Sequence, residues 1–374
     1  MARSFPLFTV LGTRVSLHYT WFIVLVLFAW SLAYGYFPAN LPGLSKGAYI
    51  VMGSFSALAL FICVLIHELA HSYVSNRLGL PVKEITLFIF GGVAHLTREP
   101  DKAADELKIA VAGPAASLVL AAFFYVFKIA LVSAGAPPEI TGMAGFLFTA
   151  NIVLLIFNLI PGFPLDGGRV LRAIWWQRTG NVRAATKASS TVGRGFAFAL
   201  IALGFVELIS GLFVQGLWAI LIGMFLQQAA EGSYRQLVMK LALEGIRVAD
   251  IMTRNVVSID GSITVTEAVE RYFFAYHHAA FPVTGPYGVI GMIGLRNVRS
   301  IEKDKWATTL VSEAADPLTV SMIAAPNDTV LSLLTRMASD GSGRHIVMEN
   351  NAMVGVISRS DIFKAMEIRA EFEK

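Results

Sequence analysis

From the N-terminus to about residue 230 the apolar positions run together instead of alternating with polar ones. Predominantly apolar stretches of about 20 residues, the length a bilayer core demands, lie at 15–37, 47–66, 109–132, 141–160, 195–213 and 214–230. The last two form one block interrupted by Glu207. A single helix of that length would overshoot the membrane, so a hairpin is predicted, with its turn at Val214-Gln215-Gly216. Between the second and third stretches the pattern shortens. Ile85-Thr86-Leu87-Phe88-Ile89-Phe90 is strand-like, and Gly91-Gly92 marks a bend. After about Ile246 the pattern changes again, to short apolar runs alternating with helical segments, an α+β signature.

This C-terminal part repeats itself at about 64 residues. Val248 and Val311 open the two copies, Thr264-Val265 matches Thr329-Val330, and Phe281-Pro282-Val283 matches His345-Ile346-Val347. Val289-Ile290-Gly291-Met292-Ile293 matches Met353-Val354-Gly355-Val356-Ile357. The expected fold is a polytopic α-helical membrane domain of about six transmembrane helices with a small membrane-associated β element, then a cytosolic α+β tandem repeat. Its boundaries are set at 1–230 for the membrane domain, 231–246 for a linker, and 247–303 and 304–374 for the repeats.

Composition agrees. With 55% hydrophobic and 15% charged residues and a mean hydropathy of +0.63, the 374-residue chain is too apolar for an ordinary soluble protein. Its charges are unevenly spread. Arg3 and Arg14 precede the first span, and Arg77, Lys83, Arg98, Lys102 and Lys108 fall between the second and third. Arg169, Arg172, Arg178, Arg183, Lys187 and Arg194 lie between the fourth and fifth, and Arg235 and Lys240 follow the sixth. The opposite loops offer Lys46, with Lys128 near a helix end. Positive residues favour the cytoplasmic side, so both termini and the repeats are expected in the cytoplasm of a multi-pass cell-membrane protein. Those loops also account for the net charge of +4 without a nucleic-acid partner. The first apolar stretch lacks a small-residue cleavage site and is read as a span, and the single cysteine, Cys63, excludes an internal disulfide.

The second span closes on His67-Glu68-Leu69-Ala70-His71. Residues four apart share a helix face, so the two imidazoles can meet one metal ion. Glu68, about 100° around the helix, is near enough to polarise a water on that ion. Such groups are costly in hydrocarbon and persist mainly where they have a function. The fourth span ends in Asn158-Leu159-Ile160-Pro161-Gly162-Phe163-Pro164-Leu165-Asp166-Gly167-Gly168-Arg169, where two prolines break the helix and the glycine pair lets the chain turn. By the charge bias both segments arrive at one level. Asp166 is then the candidate third ligand, giving His2Asp with a fourth position open, the mark of catalytic rather than structural zinc. Taken alone, Asp166 reads as a helix-end cap or a partner for Arg169. Cys63 is read as packing, His95 as a hydrogen-bonded loop histidine, and Gly113-Pro114 as a kink that permits close helix packing.

With both motifs intact, residues 1–230 resemble the site-2 protease family of intramembrane zinc metalloproteases. The resemblance implies that His67, His71 and Asp166 bind one Zn2+, that Glu68 is the general base, and that Asn158, at the family's motif asparagine, supports the substrate or the transition state. One subgroup includes the sporulation protease that processes a pro-sigma factor, which implies membrane-tethered or membrane-associated regulators as substrates. A helical substrate must unwind to expose its carbonyls. The strand at 82–96 is therefore expected to present an edge, at Thr86 and Phe88, to the extended chain; the alternative is a strand that only packs over the site.

The tail resembles a tandem pair of CBS domains, which commonly bind adenine nucleotides. Gly355-Val356-Ile357-Ser358-Arg359-Ser360-Asp361 matches that family's ribose-binding pattern, so Ser358 and Asp361 are expected to hold ATP or AMP. In the first copy Gly294 and Asn297 stand at those positions, which leaves one credible site. A homodimer through these domains is expected, and a purely structural, dimerising pair is the alternative to nucleotide binding. CBS pairs also regulate chloride and magnesium transport proteins, so a CBS-regulated transporter or channel is the competing reading. The complete His-Glu-His-Asp set favours the hydrolase, because a simple ion pathway has no need of the glutamate.

Overall fold

The computed structural model describes residues 4–88, 91–96 and 99–372, and it divides into two compact units, Met1–Arg235 and Gln236–Lys374. Among the described residues six helices are long and apolar enough to cross a bilayer. The first, Thr20–Asn40, is built from α1 (Thr20–Ser31), a π turn and α2 (Phe37–Asn40). Next come α3 (Lys46–Arg77), α4 (Ala103–Ser133), α5 (Pro138–Asn158), the short polar α6 (Asp166–Thr179), α7 (Val182–Ile209) and α8 (Phe213–Leu243).

The number of spans is as expected, but three boundaries differ. The first span begins at Thr20 rather than Val15, because β1 (Ser4–Val10) and β2 (Thr13–His18) form an antiparallel hairpin. Val15 and Leu17 are buried strand residues whose apolar character merges, in sequence, with the helix that follows. The α7–α8 turn falls at Ser210-Gly211-Leu212. Gly211 takes a left-handed φ of 85°, and Leu212 N–H closes the last turn on the Glu207 carbonyl at 2.9 Å. Gly216, expected in that turn, instead lies inside α8 against Gly204 of α7. A Cβ at Gly216 would stand 2.5 Å from the Gly204 carbonyl oxygen, so the two backbones touch. Finally, residues 231–246, expected as a linker, continue α8 as far as Leu243.

The β element is a four-stranded sheet in the order β1-β2-β3-β4, with β3 at Val82–Phe88 and β4 at Gly91–Leu96. β2 and β3 run parallel, Ser16 opposite Thr86, so a crossover must join them, and the first two spans supply it. The Ser16 hydroxyl also donates to the Glu84 carboxylate across this pair. Leu17, Val82, Ile85 and Leu87 pack with Trp21 on α1 and Phe61, Leu65 and Leu69 on α3, which seats the sheet on the stretch leading into the histidines.

In the second unit the two copies share an antiparallel hairpin flanked by a short parallel strand. β5 (Ile259–Asp260), β6 (Ala280–Gly285), β7 (Gly288–Gly294) and β8 (Asp316–Pro317) form one sheet; β9 (Ile323–Ala324), β10 (Arg344–Glu349) and β11 (Ala352–Ser358) form the other. Phe281 pairs with Ile293 in the first as His345 pairs with Ile357 in the second, and each hairpin carries a bulge after Val283 or Val347. Thr264 and Thr329 cap the helices that begin at Val265 and Val330. Two apolar cores form, one around Ile259, Phe281 and Ile293 that takes in Val311, the other around Leu333, Val347 and Ile357 that takes in Val248.

Candidate metal centre

His67 and His71 lie one turn apart on α3, 3% and 6% exposed, with their rings edge to face at 4.9 Å between centroids. Asp166 opens α6, immediately after the bend that follows α5, and is 9% exposed. Asp166 Oδ2 is 3.1 Å from Nε2 of each histidine, and the two Nε2 atoms are 3.2 Å apart. Three donor atoms thus form a nearly equilateral triangle. Ligands about 2.0–2.1 Å from a tetrahedral zinc stand roughly 3.3 Å apart, so the triangle fits one face of such a site with the fourth corner open. Among the described residues this is the group of histidine, cysteine and acidic side chains able to hold a metal ion.

The second nitrogen of each ring is also occupied. His71 Nδ1–H donates to the Ile109 carbonyl at 2.7 Å, and His67 Nδ1 meets Ser117 Oγ at 2.9 Å. Both partners lie on α4. A donor role at Nδ1 leaves the Nε2 lone pair for the metal and fixes the ring plane. Gly113, between these partners on the same helix, supplies the space. A Cβ there would stand 2.1 Å from His71 Nε2 and 2.5 Å from His67 Nε2, inside the ligand atoms themselves. Gly113-Pro114, expected to allow close packing, does so at this point, with Pro114 accommodated within α4.

Glu68, next to His67 on α3, lies against β4. A Cβ on Gly92 would stand 2.5 Å from Glu68 Cγ, so the glycine lets the strand backbone lie against this side chain. Asn158 sits at the end of α5, where its Nδ2 donates to the Leu154 carbonyl at 3.0 Å; it is outside the ligand group. Cys63 is buried one turn before His67 and is likewise outside that group. The side chain of His95 lies outside the described residues.

The expected substrate edge at Thr86 and Phe88 requires a correction. β3 is an inner strand: Thr86 is paired with Ser16 on one side and Val93 on the other, and Phe88 lies opposite Gly91 at the closed end of the hairpin, 6.3 Å ring to ring from Phe225. The outer strands of the sheet are β1 and β4, because the N-terminal hairpin, unseen in the sequence, covers the other side of β3. Ser358 and Asp361 do come together. Ser358 donates to Asp361 Oδ2 through N–H at 2.8 Å and through its hydroxyl at 2.7 Å, and Asp361 N–H returns to Ser358 Oγ at 3.3 Å. This is a capping box on the helix Arg359–Phe372. In the first copy Asn297 Oδ1 accepts from Gly294 N–H at 3.0 Å, the same helix-start contact without the hydroxyl.

Sequence reading singles out His67, His71 and Asp166, which the fold brings together, and Glu68 beside them, but not Ser117, the Ile109 carbonyl or the purpose of Gly113. Nothing in an apolar helix marks a serine or a carbonyl as a histidine partner until α3 and α4 are known to pack together.

Known proteins similar to this chain show its family. The family model described as Peptidase family M50 matches residues 55–141 and 133–202, and the CBS domain model matches 248–304 and 317–368. The zinc metalloprotease Rip3 of Mycobacterium tuberculosis is 36% identical over 370 residues, covering 98% of this chain and 94% of the relative. The zinc metalloprotease sll0528 of Synechocystis is 32% identical, covering 94% and 92%. Among solved structures, the site-2 protease from Methanocaldococcus jannaschii is 26% identical with a TM-score of 0.43, covering 62% of this chain and 96% of that one. The chain belongs to peptidase family M50, the site-2 proteases: it is a multi-pass membrane zinc metalloprotease that carries a pair of CBS domains.

Proposed function

We propose that this enzyme cleaves membrane-tethered or membrane-associated regulatory proteins at the level of the His67–His71–Asp166 triangle, under control of its CBS pair. The nearly equilateral set of donor atoms is the observation that carries this reading. His67, His71 and Asp166 would hold the zinc, which would supply Lewis-acid chemistry toward the scissile carbonyl and the attacking water. Glu68 takes the proton from that water and returns it to the leaving amide nitrogen. Ser117 and the Ile109 carbonyl keep both rings in the tautomer and plane this requires. Asn158, at the adjoining helix end, steadies the substrate chain.

An unwound substrate pairs with the outer edge of β4, the strand whose Gly92 lies against Glu68, so main-chain hydrogen bonds would deliver the carbonyl to the general base. The termini face the cytoplasm, as the basic loops favour. ATP or AMP binds the second CBS copy through Asp361 and Ser358, and the CBS pair dimerises the chain. Glu68→Gln tests the base assignment: zinc content is expected to stay at the wild-type level while cleavage of a membrane-tethered reporter falls by about 10²–10⁴-fold. Undiminished cleavage would refute it.

A further inference from the structure

Glu106 is fully buried on α4, yet nothing in the hydrolytic reading uses it. Arg172 of α6 reaches its Oε1 with Nε at 2.6 Å and with Nη2 as well. The same guanidinium lies over the ring of Phe163, 5.1 Å from the centroid, and Phe163 belongs to the bend that delivers Asp166. That bend is itself wedged against α7: Phe163 N–H donates to the Ser189 carbonyl at 3.2 Å, and a Cβ on Gly193 would stand 2.0 Å from the Phe163 carbonyl oxygen.

The buried residues of α4 recur at helical spacing as Glu106, Ile109, Ala110, Gly113 and Ser117, one stripe along one face. From that stripe Ser117 and the Ile109 carbonyl hold the imidazoles, Gly113 makes room for them, and Glu106 holds α6. A single helix face therefore gauges both the helix that carries the histidines and the helix that carries the carboxylate. Asp166 is the one ligand contributed from outside α3. The bend fixes where its helix begins; how far α6 turns or slides along α4 is set by what grips it further on. Arg172 lies on α6 beyond Asp166, and both arms of its fork, converging on Glu106 Oε1, resist both movements.

We propose that Glu106 and Arg172 are a positioning pair for the metal centre: by locking α6 to α4 they hold Asp166 Oδ2 at its distance from both imidazoles and so set metal affinity. This rests on the zinc-protease reading above, and its test separates the two. Full-length protein in detergent is titrated with zinc against a chromophoric chelator, and the visible spectrum of the Co2+ form is recorded. Glu106→Gln and Arg172→Met are each expected to weaken zinc binding by about tenfold or more, as loss of partners behind a ligand does, and to alter the cobalt bands. The double variant should bind no worse than either single one, because the two residues act as a unit and no unpaired charge is left behind. Arg172→Lys keeps the charge but loses the fork, and should recover only part of the affinity lost in Arg172→Met; it also carries the test if a neutral variant aggregates. Asp166→Ala is the control on the reading beneath. If it loses zinc while the Glu106 and Arg172 variants keep wild-type affinity and cobalt spectrum, the positioning role is overturned and the ligand set stands. If Asp166→Ala binds zinc as the wild type does, the ligand set falls and the positioning role with it.

Discussion

At the residue scale the site depends on a side chain that is missing. Gly113 occupies a place on α4 where a methyl group would collide with Nε2 of both His67 and His71. Gly113→Ala is therefore expected to abolish stable zinc binding with the ligands untouched, read as metal content of the purified variant; Gly195→Ala, at a position with nothing within 4 Å, should leave it unchanged. His67, His71 and Asp166 were legible in the sequence because each is expensive in hydrocarbon and so announces a function. Ser117 and Gly113 were not legible, because serine and glycine are common in membrane helices for ordinary packing reasons. Arg172 was counted among the basic residues flanking the spans, and Glu106 was not singled out. Their partnership exists only once α4 and α6 lie side by side.

At the scale of elements, hydropathy located all six spans because a bilayer imposes one length and one composition. It misplaced the α7–α8 turn because glycine serves two opposite purposes there. Gly211 ends a helix through its left-handed φ, whereas Gly204 and Gly216 let two helices touch. Gly204→Leu should force α7 and α8 apart and lower the apparent melting temperature in detergent by several degrees, in line with an overpacking cost of about 1–3 kcal/mol. An unchanged melting curve would mean that the close approach is dispensable. The hairpin β1–β2 escaped notice for a related reason: Val15 and Leu17 continue the apolar run of the first span, and only pairing with β3 distinguishes strand from helix. That omission placed the expected substrate edge at Thr86 and Phe88, on an inner strand, rather than on the outer strand β4. A proline at Val93 or Ala94, on β4, is now expected to impair cleavage of a helical substrate more than of a peptide already extended.

At the scale of the whole molecule, two copies of one motif were readable from their spacing alone, since matched registers demand matched sequence intervals. What Ser358 and Asp361 do was not readable, because the residues that grip a ribose in the resembling family also make a capping box. The two roles separate cleanly. If nucleotide binds, calorimetry on the full-length chain should detect ATP or AMP binding that Asp361→Ala weakens by tenfold or so, as loss of a charge-assisted hydrogen bond implies. If the pair is only a cap, Asp361→Ala should cost about 1 kcal/mol of stability and no nucleotide heat should appear in the wild type. Beneath the proposed regulation lies the proposed hydrolytic centre, where one helix brings two imidazoles and another brings a carboxylate. Elemental analysis of the purified full-length chain beside a His67→Ala/Asp166→Ala double variant examines that convergence itself. About one zinc per wild-type chain and almost none in an equally well-folded double variant is the expected result; zinc retained by the variant at wild-type stoichiometry would contradict it.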